Sequence, residues 1–549
     1  MANKMNELIL GIAYFGHDSS VSLIDSTNNN ILYCLTEERF SNKKHDSGLP
    51  VGCLDIIDSK IKELSLGQIS YVATNSDHTI LIREYLPNLI SQKTSSQVAT
   101  RIHSAVLETF PFVVYYEPDK YPATYLRAIL RDSGVAIEIA DQLIASIGWY
   151  VNWALKIMAF QRYIQKRYPG ATLYPIRHHL CHMASVFFTS KFTDSAILIL
   201  DGQGEAETIT MGYAKGNQYK RISHSIWPHS IGSFYMDMTA FLGFRGNTNY
   251  PGFGEEYKVM GMAGYGAPTH IDFFRERALI TDTGEFRFLE DAYLQIVAVP
   301  GCPGHFKMAF TPAFESALGG RREPSDPIEQ QHFNIAASLQ QFIEEIGVTL
   351  ASFLKEKIPE TANICLGGGI ALNGLMNMSI LRKAGFKNIF IFPASGDDGT
   401  SLGAAAYVHA ISLGRPVFSS ERDVFKGVIY TKEEVEHCIN LYDLKYKYKE
   451  NISKVIAQKI SENYIVARYI GAAEYGPRAL GHRSVLANPR HPKMKEILNT
   501  RIKHREPFRP FAPACLNEET SRYFDIDCDA PYMLLIVMYC KRREMKYHL

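Results

Sequence analysis

Two histidines and two aspartates in this chain, His178, His182, Asp201 and Asp397, are of the types that together hold a metal ion. His178 and His182 lie four residues apart in Arg177-His178-His179-Leu180-Cys181-His182-Met183-Ala184-Ser185. On a helix that spacing stacks them one turn apart on one face, where two imidazoles can grip one cation. Alone, the pair would equally suit a solvated helix start. Two glycine-flanked turns, Asp201-Gly202-Gln203-Gly204 and Gly396-Asp397-Asp398-Gly399, tip the balance toward a metal by offering carboxylates from distant parts of the chain. Asp398 is an alternative to Asp397, because adjacent residues on a turn point differently. Imidazole nitrogens with carboxylate oxygens suit iron(II), manganese or zinc, and the sequence does not rank these.

A second group of residues suits proton transfer. His17, in Gly16-His17-Asp18-Ser19-Ser20, has the ordinary imidazole value near 6.5 that lets a ring accept a hydroxyl proton close to neutrality, and Asp18 could orient it. Gly367-Gly368-Gly369 lets backbone approach a ligand closely, but it is neither a dinucleotide fingerprint nor a Walker loop. Tight packing would explain it as well. A third set is cationic: Arg478, Arg483, Lys503, Arg505 and Arg509, interleaved with Pro477, Pro507, Pro510 and Pro513 and with Phe508 and Phe511. Guanidinium forks on a stiff backbone pair with phosphate oxygens.

The elements that must position these residues follow from hydropathy patterning. Leu8-Ile-Leu-Gly-Ile-Ala is an apolar strand, the turn carrying His17 follows, and Val21-Ser-Leu-Ile-Asp25 alternates as a second strand. The same strand–turn–strand returns as Ala196-Ile-Leu-Ile-Leu, the Asp201 turn, and the alternating run 208–213, which predicts a duplication. Hairpins of this kind facing one cleft resemble the sugar kinase, heat-shock ATPase and actin superfamily. Helical periodicity over residues 84–170 reads as an insertion covering the cleft, and another amphipathic helix spans 328–357. The strand 388–392 delivers Asp397 and Asp398 at its end, where ligands of open α/β sheets gather. Residues 413–423 read as a linker, after which helix 432–439 and strand 464–470 begin a second α/β domain. The expected division is 1–422 and 423–549.

Composition bounds the function classes. A length of 549 residues exceeds one ordinary core. The formal net charge of +1 gives no overall attraction to nucleic acid or an anionic membrane, so neither is an expected partner. Nine cysteines without a Cys-x-x-Cys pair suggest reduced thiols and a cytoplasmic location. No secretory leader and no apolar run of about 18 residues is expected; the nearest candidate, 147–160, is broken by Asn152 and Lys156.

Taken in order, the motifs resemble the O-carbamoyltransferases of the NodU/CmcH type. The matching pieces are Gly16-His17-Asp18-Ser19, Thr36-Glu-Glu-Arg-Phe-Ser41 with Lys44-His45-Asp46, and the His178 to Ser185 helix. Tyr257-Lys258-Val-Met-Gly261, Leu366 to Asn373, Gly396 to Gly403, Tyr475 to Ser484 and Lys503 to Pro513 complete the set. The resemblance implies an N-terminal domain similar to the tRNA threonylcarbamoyladenosine transferase subunit, followed by a YrdC-like domain. It implies that the second domain converts carbamoyl phosphate and ATP, with magnesium, to carbamoyl adenylate and pyrophosphate. A small-molecule hydroxyl then takes the carbamoyl group in the first domain. The family's iron ligands map onto His178, His182, Asp201 and the Asp397-Asp398 turn, and its base onto His17. Lys258, the glycine turn, Asn373 and the five C-terminal cations fall in the motifs that bind the nucleotide and carbamoyl phosphate. The family continues beyond Pro531-Tyr-Met-Leu534 into motifs missing here, so the second domain is expected to be incomplete, and residues 243–254 depart from the family pattern. A homodimer is compatible with this reading. Two alternatives share the fold: a non-catalytic subunit that binds adenylate and metal, and a tRNA threonylcarbamoylating enzyme, which needs a basic RNA track.

Overall fold

The computed structural model describes residues 6–537 apart from residue 15, most of 81–136, 247–251, 290–293, 299–305, 417 and 419–423. Much of the expected 84–170 insertion, the departure at 247–251, most of the linker and the last residues of the chain therefore lie outside the described residues.

Two five-stranded sheets form the body. The first contains β1 (Glu7–Ala13), β2 (Ser20–Asp25), β3 (Asn30–Thr36), β4 (Gln68–Thr74) and β5 (Thr172–Pro175), in the order β3-β2-β1-β4-β5. The first three strands pair antiparallel as a meander, whereas β4 and β5 join parallel to β1. The second contains β6 (Asp194–Gly204), β7 (Glu207–Lys215), β8 (Gln218–Ile226), β9 (Asn363–Gly367) and β10 (Asn388–Ile391). Its order, β8-β7-β6-β9-β10, and its strand senses repeat those of the first sheet. This repeat of order and sense is a duplicated actin/sugar-kinase-like α/β fold, as the paired hairpins in the sequence led us to expect.

β1 shows why a nearly continuous apolar run becomes a strand here. Leu8, Leu10 and Ile12 turn to one face and pack with Cys53, Leu54 and Ile57 of α1 (Val51–Glu63) and with Phe160 and Ile164 of α2 (Ile137–Arg167). Ile9 turns to the other face and joins the central core. Period-two alternation with both faces covered requires apolar residues at every position. The described C-terminal end of α2 thus belongs to the first lobe's packing, with Arg167 bonded to Asp55 and Asp58 of α1 at 2.6 and 2.7 Å. Among the described residues no helix is long and apolar enough to cross a membrane, and the cysteines are free thiols.

Two helices run between the sheets, α3 (His178–Phe187) and, further along the chain, α7 (Thr400–Tyr407). A Cβ on Gly403 would lie 1.8 Å from the Cys181 carbonyl oxygen, and one on Gly11 would lie 1.9 Å from that of Ser401. Glycine at both places therefore lets α7 lie hard against α3 and β1. Between them in sequence come α4 (Glu256–Ala263), the long α5 (Gln330–Lys357) and α6 (Gly374–Lys383).

The C-terminal part is built differently. α8 (Lys432–Leu441) and α9 (Ile452–Ser461) bury no residue, and among the described residues β11 (Val466–Tyr469) pairs only with β12 (Arg483–Leu486). It is anchored to the body through Tyr475, whose buried hydroxyl meets Ser401 Oγ at 3.0 Å and the Asp398 carbonyl. Asn377 of α6 adds a 2.8 Å hydrogen bond to the Leu534 carbonyl.

Candidate metal centre and proton relay

α3 begins where Arg177 is still extended (φ −55°, ψ 138°) and contains the two histidines the sequence singled out. His178 and His182 are 5% and 0% exposed, a depth at which uncompensated polar rings are costly. Their Nε2 atoms are 3.0 Å apart. Asp201, at the far end of β6, brings Oδ2 to 3.4 Å from His178 Nε2 and 3.7 Å from His182 Nε2. Asp397, opening the tight turn that enters α7, brings Oδ1 to 3.2 and 3.7 Å from the same two nitrogens.

These four donors lie within 4.8 Å of one another. Ligands sharing one ion at bonds of about 2.0–2.2 Å stand roughly 3.3–3.6 Å apart in a tetrahedral shell, which the separations here bracket. Buried His182 Nδ1 has no hydrogen-bond partner. The donor set therefore fits a divalent transition metal. Asp398 is turned away: its Oδ1 accepts from its neighbour Gly399 N at 3.1 Å, while burial and the Asp18 and Asp397 charges push its carboxyl well above the ordinary range. Of the two carboxylates that the sequence left open, Asp397 is the one facing the imidazoles.

Asp201 is held from behind. Asp201 Oδ1 accepts the Gly369 N–H at 3.1 Å. The preceding Gly368 has φ +85°, and a Cβ there would lie 2.2 Å from the Leu200 carbonyl oxygen. The triple glycine thus lets the chain graze β6 and aim an amide at Asp201. Glu205 was not anticipated. Its carboxylate accepts the His178 N–H at 3.0 Å and the Asp77 N–H at 3.1 Å, satisfying the first turn of α3. Burial lifts its carboxyl to about 7, despite the opposing pull of His178 and these amides. The nearest sequence signal was its place directly after the Asp201 turn.

His17 stands beside this cluster. Its Nε2 is 3.8 Å from Asp397 Oδ2, and its Nδ1 is 2.7 Å from Asp18 Oδ2. Asp18 Oδ1 meets His45 Nδ1 at 2.8 Å. Burial pulls the His17 ring downward, but the Asp397 and Asp18 carboxylates outweigh it and hold the value near 10. Desolvation opposes charge on Asp18, yet hydrogen bonds from both imidazoles keep its carboxyl well below the ordinary range.

Most of the remaining sequence candidates are engaged elsewhere. Lys258 is ion-paired with Glu255 at 2.5 Å and Glu506 at 2.9 Å. Asn373 caps α6 by accepting from Met376 N at 3.1 Å. Arg478 reaches the Leu372 carbonyl at 3.3 Å, just past the glycine turn, and burial lowers its guanidinium. Arg483 lies 3.3 Å from the Tyr469 ring centroid, Arg505 4.6 Å from that of Phe511 and Arg509 4.3 Å from that of Tyr257. Lys503 is exposed. The structure thus brings together His17, Asp18, His178, His182, Asp201 and Asp397, gives Lys258, Arg478, Arg483, Arg505, Arg509 and Asn373 other partners, and leaves Lys503 on the surface.

Comparison with known proteins places this arrangement. An uncharacterised Synechocystis protein is 31% identical over 545 residues, 96% of this chain and 78% of the relative. The 3'-hydroxymethylcephem-O-carbamoyltransferase of Streptomyces clavuligerus is 29% identical over 207 residues, covering 38% of each chain. Among solved structures, an activator of 2-hydroxyisocaproyl-CoA dehydratase from Clostridium difficile is 10% identical at a TM-score of 0.32, covering 80% of this chain and 100% of that one. The carbamoyltransferase N-terminus matches residues 8–406 and the carbamoyltransferase C-terminus matches 457–548. With both halves matched in order, this chain belongs to the carbamoyltransferase family.

Proposed function

We infer that the chain is an ATP-dependent O-carbamoyltransferase acting on a hydroxyl of a small-molecule natural product. On a YrdC-like C-terminal domain, water would cleave carbamoyl phosphate to carbamate and phosphate, and a carbamate oxygen would then attack the α-phosphorus of ATP, giving carbamoyl adenylate as pyrophosphate leaves. The acceptor oxygen then attacks the carbamoyl carbon, its proton passes to His17 Nε2, and the bond to the adenylate phosphate breaks as AMP leaves. The observation carrying this reading is the position of His17 Nε2, 3.8 Å from a carboxylate of the buried four-donor cluster. A base at the rim of a cluster of this kind can receive the proton where the acyl group is held. His178, His182, Asp201 and Asp397 would hold the metal, iron(II) by resemblance. When bound, such a cation supplies Lewis acidity toward phosphate or carbamoyl oxygens and offsets the carboxylate charge that keeps His17 protonated. The activity of the cephem relative, by its name an O-carbamoyltransferase, supports a natural-product alcohol as acceptor.

The test supplies the iron(II)-loaded full chain with synthetic carbamoyl adenylate and a panel of hydroxylated metabolites, and weighs the products by mass spectrometry. A gain of one carbamoyl group with stoichiometric AMP is expected. AMP formed at the blank rate with every alcohol overturns the transfer reading. A parallel incubation with carbamoyl phosphate and ATP tests adenylate formation through pyrophosphate release.

A further inference from the structure

Beside the metal-type cluster lies a second group of facing side chains, His17, Asp18 and His45. Its separations, 2.7 Å from Asp18 to His17 and 2.8 Å to His45, are hydrogen-bond lengths. They are shorter than the roughly 3.3 Å or more between ligands sharing an ion. We propose that His45 is a positioning residue, holding Asp18 so that Asp18 fixes the tautomer and aim of the His17 ring.

The donor inventory carries the argument. An ionised carboxylate only accepts, so each imidazole nitrogen facing Asp18 must bear hydrogen. His17 therefore donates from Nδ1 to Asp18 Oδ2, which leaves Nε2 as the atom that faces Asp397. His45 donates from Nδ1 to the other oxygen, occupying Oδ1 so that the carboxylate cannot rotate off His17 without losing a partner. Buried His45 Nε2 has no hydrogen-bond partner, so the single bond His45 makes with its ring goes to Asp18.

The backbone is arranged for this contact. Asp18 and His45 have φ of 61° and 56°, a left-handed region that Asp and His enter more readily than most residues other than glycine. Ser19 N donates to the Asp46 carbonyl at 2.8 Å, fastening the turn of His17 to the loop of His45. His45 N donates to Glu38 Oε2 at 3.2 Å, and the Phe253 ring rests against both imidazoles, with centroids at 4.3 and 5.0 Å. Two loops 27 residues apart are thus pinned backbone to backbone and joined through one carboxylate.

The inference rests on His17 as the base, and its test is readable without turnover. In the zinc(II)-loaded full chain labelled with 15N-histidine, His17 is assigned by comparison with His17→Gln and its tautomer read from its ring nitrogen shifts. The parent is expected to show one tautomer with hydrogen on Nδ1. His45→Asn places an amide N–H near the lost Nδ1 and tolerates a positive φ, so it should keep that tautomer. His45→Gln and His45→Ala should show both tautomers. In the carbamoyl adenylate assay, the Gln and Ala variants should lose roughly 10–100-fold in kcat at unchanged KM, the scale of outer-sphere changes, with recovery in Asn. A His17 that stays in one tautomer in the Gln and Ala variants overturns the proposal. If the parent carbamoylates no alcohol, the functional reading fails while the tautomer result still decides the relay.

Discussion

The turn after β1 and the Asp201 turn, an irregular stretch at the end of β6 between Leu200 and Gly204, follow the equivalent strand runs in the two halves of the duplicated fold, yet they carry different chemistry. The first presents His17, whose side chain is 35% exposed, and ties it through Asp18 to a loop. The second presents Asp201, 5% exposed, and ties it through Gly369 to a neighbouring strand end. Topology fixes where the side chain lands, and depth fixes its use. A buried carboxylate needs a cation or donors to remain charged, whereas a half-open imidazole can exchange a proton with a substrate. The comparison is broken if either turn does the other's work.

The largest effect should come from the second turn. Asp201→Asn keeps the shape and can still accept from Gly369, but removes a charge from the donor set. Affinity for iron(II) or zinc(II), read by competition with a chelator, should fall by more than the roughly 10–100-fold typical of outer-sphere changes. An unaltered affinity would take Asp201 out of the shell. Next comes the first turn. His17→Gln should leave ion affinity as in the parent and cut transfer from carbamoyl adenylate by about 10²–10⁴-fold, the usual share of a positioned base. Loss of the ion in this variant would erase the division of labour between the turns.

How far the sequence revealed this division depends on the kind of contact. The four donors were legible because metal chemistry restricts residue type and because a helix turns His178 and His182 to one side. The repeated strand–turn–strand was legible, since β1 and β6 bury both faces and so contain few polar residues. The choice between Asp397 and Asp398 was hidden, because it depends on a turn whose direction is set by α7 packing against α3 and β1. Glu205 and His45 were also hidden as site residues. Each acts on groups brought near by tertiary structure, with no local periodicity to mark it. The cations between residues 478 and 509 could be picked out by type, but contacts such as that of Arg509 with the Tyr257 ring depend on how the C-terminal part meets α4.

Glu205 sharpens the comparison through pH. Its carboxyl is raised to about 7 by burial, while an unfolded glutamate titrates near 4.5. Between those values the folded chain keeps a proton that the unfolded chain has released. Stability is therefore full below about 4.5, falls as pH rises toward 7 and is level above it. The contribution is on the order of 3 kcal/mol, at 1.36 kcal/mol per unit. Glu205→Gln retains an oxygen for the amides without the charge. Its stability relative to the parent, from denaturant titrations of the full chain, should improve by up to that amount between pH 5 and pH 8. A constant difference across that range would show that Glu205 is ionised throughout.

The smallest effects should come from the glycine that gives each turn its clearance. A Cβ on Gly204 would stand 2.4 Å from His178 Cδ2, and one on Gly16 would stand 2.1 Å from Asp397 Oδ2. Each alanine should cost about 1–3 kcal/mol, the usual range for overfilling a packed site. The obstacles differ, however. In the Gly204 variant the obstacle is a buried ring on α3, so relief must displace a metal donor and ion affinity should drop with stability. In the Gly16 variant the obstacle is the carboxylate oxygen turned to His17, which can swing while Oδ1 stays with the imidazoles. Gly16→Ala should therefore alter transfer more than ion affinity. Chelator competition and the adenylate assay on both variants check this, and a larger loss of affinity in Gly16→Ala than in Gly204→Ala would reverse the assignment of the two turns.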